Sequence, residues 1–357
     1  MSSSKKEKFY GVNDELWGHK WGFKDSSFII NDDNSITFTG ARYDGISGER
    51  LPYLIPFVTK VLDTDINKDP YFKEVKKKFV SERTLNKSFI EEIESSFEKD
   101  KLSIGDDERV LHSHGQNSPD EVFKVLYDKL EKFTDLIIYV ETEEDVVLLI
   151  NLAKKHNVCL VPYGGGTNVT NALQLPKNET RMIVTVDTRR LNRIISIDQK
   201  NLLVEVEAGI TGKELENQLQ DKGFTTGHQP DSIELSTVGG WISTNAAGMK
   251  KNRYGNIEDI VQNLVMVTPN GIINQIEPLV RSSIGIKTQN ILFGSEGNLG
   301  IITKATMKIH RLPECSDYES VVMKDWDTGL DFMYELAQSN TIPVSYTHLT
   351  LPTNREV

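Results

Sequence analysis

The sequence predicts an α+β fold of more than one domain, on three observations. Apolar runs of strand length alternate with amphipathic helical stretches from Leu136 onward. The first β–α–β unit runs straight into a triple-glycine loop, Gly164-Gly165-Gly166, and 357 residues exceed what one hydrophobic core usually organises. Hydrophobic residues at 38% and charged residues at 26% are globular proportions, which argues against a fibrous or wholly disordered chain.

From Lys5 to about Lys132 the chain is highly charged, with aromatics at Phe9, Tyr10, Trp17, Trp21 and Phe23 and no strong β–α–β rhythm. It reads as an accessory region, with a short strand at Ile36-Thr37-Phe38-Thr39 closed by Gly40 and surface helices between Pro70 and Lys101. His112 and His114 lie in a polar turn; two imidazoles without a third ligand make a poor metal site, so no metal is expected. Leu136-Ile137-Ile138-Tyr139-Val140 then reads as a buried strand. Thr142 and Asp145 form a capping box for a helix whose apolar positions are Val146, Leu149, Ile150 and Ala153. Val158-Cys159-Leu160-Val161 is the next strand, followed by strands at Met182 to Val186 and Leu202 to Val206. Thr211 and Glu214 open a helix that Gly223 stops. Leu264 to Thr268 and Ile272 to Ile276 flank Pro269-Asn270-Gly271, where Asn-Gly predicts a tight hairpin. From Ile301 to Ile309 apolar and polar residues alternate, as in a half-exposed strand.

Charge and cysteine usage narrow the function. The 41 basic and 52 acidic residues give a net charge of −11, which disfavours a general polyanion binder, so no nucleic-acid partner is expected. Cys159 and Cys315 match no disulfide or zinc spacing and read as buried thiols in a reducing compartment. The first residues lack the apolar core of a signal peptide, and no window supplies eighteen uninterrupted apolar residues; neither secretion nor membrane spanning is expected.

Three glycine-rich turns carry the chemistry. Pro162-Tyr163-Gly164-Gly165-Gly166-Thr167-Asn168 leaves backbone N–H groups bare of side chains, a cradle for an anion, although three glycines also suit a linker. It is neither a Walker loop nor the G-x-G-x-x-G dinucleotide fingerprint, which counts against ATP and nicotinamide chemistry. The second constellation runs from His228 through Asp231-Ser232-Ile233-Glu234-Leu235-Ser236-Thr237 and Gly239-Gly240 to Thr244-Asn245-Ala246-Ala247. Its hydroxyls and small residues suit a large flat ligand or, equally, tight helix and turn packing. Ser295-Glu296-Gly297-Asn298-Leu299-Gly300-Ile301-Ile302 is the third. Together they imply an extended ligand with phosphates and rings.

These three segments resemble the pattern of the vanillyl-alcohol oxidase and p-cresol methylhydroxylase flavoproteins. Within them, Thr226-Gly227-His228-Gln229-Pro230-Asp231-Ser232 and the stretch from Gly248-Met249-Lys250-Lys251-Asn252-Arg253-Tyr254-Gly255 to Val261 resemble the alkyldihydroxyacetonephosphate synthase family. Lys20-Trp21-Gly22-Phe23-Lys24-Asp25-Ser26 and the segment from Asp106 to Gly115 share that likeness, which extends to about Pro343. The resemblance implies a two-subdomain FAD-binding domain at 130–312, preceded by a helical amino-terminal region at 1–129 and followed by the start of a substrate domain at 313–343. It implies noncovalent FAD, since Pro162 to Thr170 contains no histidine or cysteine to attack the flavin. The family exchanges the acyl group of acyl-dihydroxyacetone phosphate for a long-chain fatty alcohol without net redox; the flavin N5 is thought to bond to C1 of the substrate while the fatty acid leaves.

Carried over by residue, Pro162 to Asn168 would hold the pyrophosphate, and Asp231 to Thr237, Thr244 to Ala247 and Glu296 to Ile302 would complete the FAD site. His228 and Ser295 would face flavin or substrate, a structural turn histidine being an equal reading of His228. The family's essential tyrosine, histidine cluster and phosphate-binding arginines lie in a carboxyl-terminal domain without a counterpart here, and residues 344–357 depart from the pattern. A truncated or chimeric chain that binds FAD without turning over substrate is therefore expected. Further implications are a homodimer when intact, association with a membrane surface and a peroxisomal location, although Val357 closes no Ser-Lys-Leu-type signal. Two other readings share the glycine loops: a 2-hydroxy-acid oxidase or dehydrogenase, and a non-catalytic flavin-binding module. The stretch from Gly248 to Val261 favours the synthases over the oxidases.

Overall fold

The computed structural model describes residues 16–18, 21–40, 46–64, 66, 80–274, 283, 285, 287–339, 341 and 343–345. Phe9, Tyr10, Lys20, the stretch from Pro70 to Phe79, Ile276 and the tail beyond Ser345 lie outside the described residues. The chain divides into two compact units, residues 1–138 with 168–185, and residues 139–167 with 186–357. This division crosses the expected 130–312 domain. Residues 134 and 135 are tied into the first unit because the Thr134 N–H donates to Ser113 Oγ at 2.9 Å and Asp135 accepts from the Thr84 and Ile183 N–H groups, each at 2.8 Å.

In the first unit, strands β1 (Ser27–Ile30), β2 (Ile36–Thr39) and β3 (Arg50–Leu51) form an antiparallel sheet in which Phe28 faces Phe38. The amino-terminal region is thus mixed where a helical one was expected: β-branched and aromatic residues at Phe28-Ile29-Ile30 and Ile36-Thr37-Phe38 favour the pleated form. Helix α1 (Leu54–Leu62) follows, and then α2 (Lys87–Ser96), capped by Asn86 and burying Phe89 and Ile93. Strand β4 (Leu102–Ser103) pairs antiparallel with β5 (Leu136–Tyr139). Between them lie α3 (Asp106–Leu111) and α4 (Pro119–Leu126), and Val110, Val125 and Phe133 close a small core.

The second unit begins with α5 (Glu143–His156), where Thr142 and Asp145 complete the predicted capping box, and β6 (Cys159–Tyr163), which extends the predicted strand into the glycine loop. Strand β7 (Ile183–Asp187), whose first three residues belong to the first unit, is buried along its length. Next come β8 (Ile194–Asp198), β9 (Leu203–Glu207), α6 (Gly212–Gln220), β10 (Phe224–Thr225), α7 (Val238–Ser243), α8 (Lys251–Tyr254) and α9 (Ile257–Ile260). Strands β11 (Val261–Thr268), β12 (Gly271–Asn274), β13 (Ile301–Lys308) and β14 (His310–Arg311) and helix α10 (Trp326–Gln338) complete it. An antiparallel sheet of order β12-β11-β13-β9-β8 carries the main core, in which Val204, Val206, Met266 and Met307 cluster with Leu215, Leu219, Trp241 and Ile242 of α6 and α7.

Three expectations are corrected. Strand β13 is central, between β11 and β9, and six of its eight residues are buried: Ile302, Ala305 and Met307 pack in the core, and Thr303 donates to Glu143 of α5. The hairpin turn is Pro269-Asn270, since Thr268 pairs with Gly271; proline fixes the first turn position and positive φ falls on Gly271 alone of the three residues. Cys315 is exposed and Cys159 half-buried, so neither is the fully buried thiol expected.

Candidate flavin site

The three glycine-rich segments meet within the second unit. The absent side chain of Gly165 faces protein: a Cβ there would lie 2.0 Å from the Leu235 carbonyl oxygen, so only glycine lets the loop approach the segment from Asp231 to Thr237. A Cβ on Gly164 would lie 2.5 Å from Thr237 Oγ1. Gly297, with φ of +81°, brings the third segment against Pro162, whose Cγ would be 3.0 Å from its Cβ. Backbone N–H groups of Gly294 and Glu296 donate to the carbonyls of Ile242 and Ser243 at 3.0 and 2.9 Å, stitching the third segment to the end of α7.

Each predicted residue has a definite place. Tyr163, Gly165, Gly166, Ser236, Thr237, Ile301 and Ile302 are buried; Asp231, Thr244, Asn245, Ala247, Asn298 and Leu299 are exposed; Ser232, Ile233, Glu234, Leu235, Ala246, Glu296 and Gly300 are half-buried. Thr237 caps α7, accepting from the Gly240 N–H at 3.2 Å, and Ser236 Oγ accepts from Trp241 Nε1 at 2.8 Å. Ile302 packs in the core, which explains its apolar character without a ligand. Asn245 and Glu296 hold φ of 49° and 45°, a left-handed conformation that non-glycine residues adopt at a cost, and both lie at the junction of the second and third segments. Asn168 alone of the predicted set belongs to the first unit.

His228 and Ser295 stand out by their polar atoms. His228 is buried edge-on against Trp241, with ring centroids 4.7 Å apart, and neither ring nitrogen has a hydrogen-bond partner. Burial lowers its pKa to about 4, so the imidazole is neutral near pH 7. Its backbone is set by Glu216, a buried carboxylate that accepts from Thr225 Oγ1, the Thr226 N–H and Thr226 Oγ1; the His228 N–H then donates to Thr226 Oγ1 at 3.2 Å. Ser295 Oγ is likewise buried without a partner. Unpaired buried groups each cost about 1–3 kcal/mol, so these atoms fit a ligand that brings its own donors and acceptors.

The sequence reading missed the residues that brace the loop from behind. The Thr188 N–H and Oγ1 both donate to the Tyr163 carbonyl, at 3.0 and 3.1 Å, and the Arg189 guanidinium carbon lies 5.5 Å from the Tyr163 ring centroid. Burial opposes the Arg189 charge, but the paired Asp187 outweighs it and raises the guanidinium pKa above its usual value. Only the position of Asp187-Thr188-Arg189 at the end of a strand hints at this role. A groove of about 360 Å³ on the five-stranded sheet, lined by residues that include Glu143, Asp198, Glu205 and Lys304, shares no residue with the predicted site.

Comparisons with known proteins agree with this geometry. Residues 134–277 match the FAD binding domain family. The chain is 38% identical over 327 residues to an alkyldihydroxyacetonephosphate synthase of Caenorhabditis elegans, covering 91% of this chain and 54% of the relative. It is 33% identical over 305 residues to that of Dictyostelium discoideum, covering 84% and 49%. A solved alkyldihydroxyacetonephosphate synthase structure superposes with a TM-score of 0.84 at 30% identity, covering 93% of this chain and 60% of that one. The chain therefore spans about half the length of the curated relatives it matches. The chain is thus similar to alkyldihydroxyacetonephosphate synthases over nine-tenths of its own length and contains an FAD binding domain, with FAD as its cofactor.

Proposed function

We propose that the protein serves ether-lipid synthesis, exchanging the acyl group of acyl-dihydroxyacetone phosphate for a long-chain fatty alcohol and releasing a fatty acid without net redox. The observation that carries this reading is the convergence of three glycine-rich segments beside the unpartnered His228 and Ser295, in a chain homologous to the synthases over nine-tenths of its length. Pro162 to Thr167, Asp231 to Thr237, Thr244 to Ala247 and Glu296 to Ile302 hold noncovalent FAD, and Asn168 ends the pyrophosphate loop. When bound, FAD would supply an electrophilic ring that no side chain of the chain offers.

The chain's own residues orient and shield. Gly165 fixes the spacing between loop and second segment; Thr188 and Arg189 hold Tyr163 at the loop's entrance; neutral His228 offers one donor and one acceptor in a site walled by Trp241. An uncharged imidazole can accept or hold a proton at its free nitrogen with little solvent competition. In the cell the protein works as a homodimer on the lumenal face of the peroxisomal membrane, where fatty alcohol partitions.

The test pairs cofactor with substrate. The purified chain should carry flavin absorbance, and the full-length gene product should convert palmitoyl-dihydroxyacetone phosphate and labelled hexadecanol into labelled ether lipid. Oxidation of D-lactate with an added electron acceptor, and no ether product, would replace this reading with that of a 2-hydroxy-acid dehydrogenase.

A further inference from the structure

The turn that carries His228 is tied to helix α6 by one side chain, and every residue of the tie lies in the second unit. Glu216 of α6 is 9% exposed, and its two oxygens take three donors: Thr225 Oγ1 at 2.7 Å, the Thr226 N–H at 2.9 Å and Thr226 Oγ1. A hydroxyl has a single proton, so both threonines direct theirs to the carboxylate and present only lone pairs to the chain beyond. Those lone pairs are used. Thr225 Oγ1 accepts from the Gly227 N–H at 3.0 Å, and Thr226 Oγ1 accepts from the His228 N–H at 3.2 Å. Packing closes the rest of the turn: Gly227 holds φ of +72° with Tyr254 Cγ 2.2 Å from where a Cβ would lie, and a Cβ on Gly248 would lie 3.0 Å from His228 Nδ1. The side-chain oxygens of Glu216, Thr225 and Thr226 are all partnered, and the network is left open only at the two nitrogens of the buried imidazole.

We propose that Glu216 is a positioning residue for the flavin site: it orients the Thr225 and Thr226 hydroxyls, and through them the main chain that aims His228 at the ligand. The inference rests on the FAD reading and adds to it a residue outside the three glycine-rich segments. Burying a carboxylate is costly beside an apolar contact of the same size, which would join α6 to the turn equally well. What the carboxylate supplies instead is direction, because a hydrogen bond constrains an angle as well as a distance. Two successive N–H groups, of Gly227 and His228, are fixed where the imidazole leaves the chain. Methionine at position 216 would keep the bulk of the side chain and lose the acceptors; serine at position 226 would keep the hydroxyl, and valine would not.

The experiment follows the ring-nitrogen resonances of His228 in the chain labelled with nitrogen-15 histidine, assigned by their absence in His228→Gln, beside fluorescence titration with FAD and melting of each apo-variant. Glu216→Met and Thr226→Val should each shift the His228 resonances of the apo-chain and weaken FAD binding by roughly tenfold, and the double variant should be no weaker than the worse single one. Thr226→Ser should bind FAD within about threefold of the parent. A Glu216 that only supports the fold would lower the melting temperature while the folded variant kept the parent's resonances and FAD affinity, and that result overturns the proposal. So does a Thr226→Ser variant as weak as Thr226→Val, since the hydroxyl would then not be the route. Should Glu216→Met fail to fold, the two Thr226 variants carry the same test. If the parent itself binds no FAD, the flavin reading fails, and the apo-chain resonances still decide whether Glu216 sets His228.

Discussion

Gly165 shows how one residue sets the spacing of a site. The three glycines were legible in the sequence, but their reason was only half so: bare N–H groups for an anion were expected, whereas Gly165 is needed first because Leu235 O leaves no room for a Cβ. Gly165→Ala should therefore destabilise the apo-protein by about 3 kcal/mol, at the upper end of ordinary overpacking costs. A melting temperature equal to the parent's would show that the loop shifts freely. Titration gives a second prediction. His114 and His228 are both lowered to about 4 by burial, so their folded pKa values lie below the unfolded one. The stability this contributes is complete above about pH 6.5 and is lost as pH falls toward about 4. Glu121 runs the opposite way, its raised pKa favouring the folded state at the acid end. His310 is lowered by burial as well, so with three histidines against one carboxyl the melting temperature should fall through this window, and His228→Gln should flatten the fall. A parent profile that is flat or rising below about pH 6 would contradict the assignment of both imidazoles as buried and neutral.

Capping chemistry made the helices of the second unit readable, because a cap is local and its residues lie three apart. Thr142 and Thr211 each accept from the predicted N–H, of Asp145 and Glu214. Packing of sheets against helices is not local, which is why β13 read as half-exposed: alternation in Ile302, Lys304, Thr306 and Lys308 cannot reveal that Glu143 of α5 lies against Thr303 and Lys304. The braces at Thr188 and Arg189 were invisible for the same reason, each acting on Tyr163, some 25 positions away. Helix α7 was read only as a run of small residues, yet its cap joins fold to site. Thr237 Oγ1 holds the Gly240 N–H and also occupies the space that a side chain at position 164 would need. Thr237→Ala should cost about 1 kcal/mol in stability through the lost cap, with Thr237→Ser recovering most of it. Urea midpoints of the three proteins decide the matter, and equal midpoints for alanine and threonine would show the cap to be idle.

For the molecule as a whole, the decisive property is that the proposed cofactor site is assembled from segments far apart in sequence and held by contacts no single segment makes. Pro162 meets Gly297, Gly164 meets Thr237, and Ser243 meets Glu296, so the site and the core of the second unit form together. FAD binding should then stabilise the fold cooperatively: a ligand at about a hundred times its dissociation constant contributes about 2.7 kcal/mol to a folded state that alone binds it. The flavin should nevertheless be removable. Covalent attachment needs a nucleophile beside the ring, and the loop from Pro162 to Thr170 contains neither histidine nor cysteine. His228 is packed edge-on against Trp241, and Cys315 is exposed on a segment beyond the three that converge. Acid precipitation of the yellow holoprotein should leave the flavin in the supernatant, and adding FAD back to the refolded chain should restore both colour and melting temperature. Flavin that stays in the pellet would mean a covalent bond, and the peptide bearing it would identify the nucleophile.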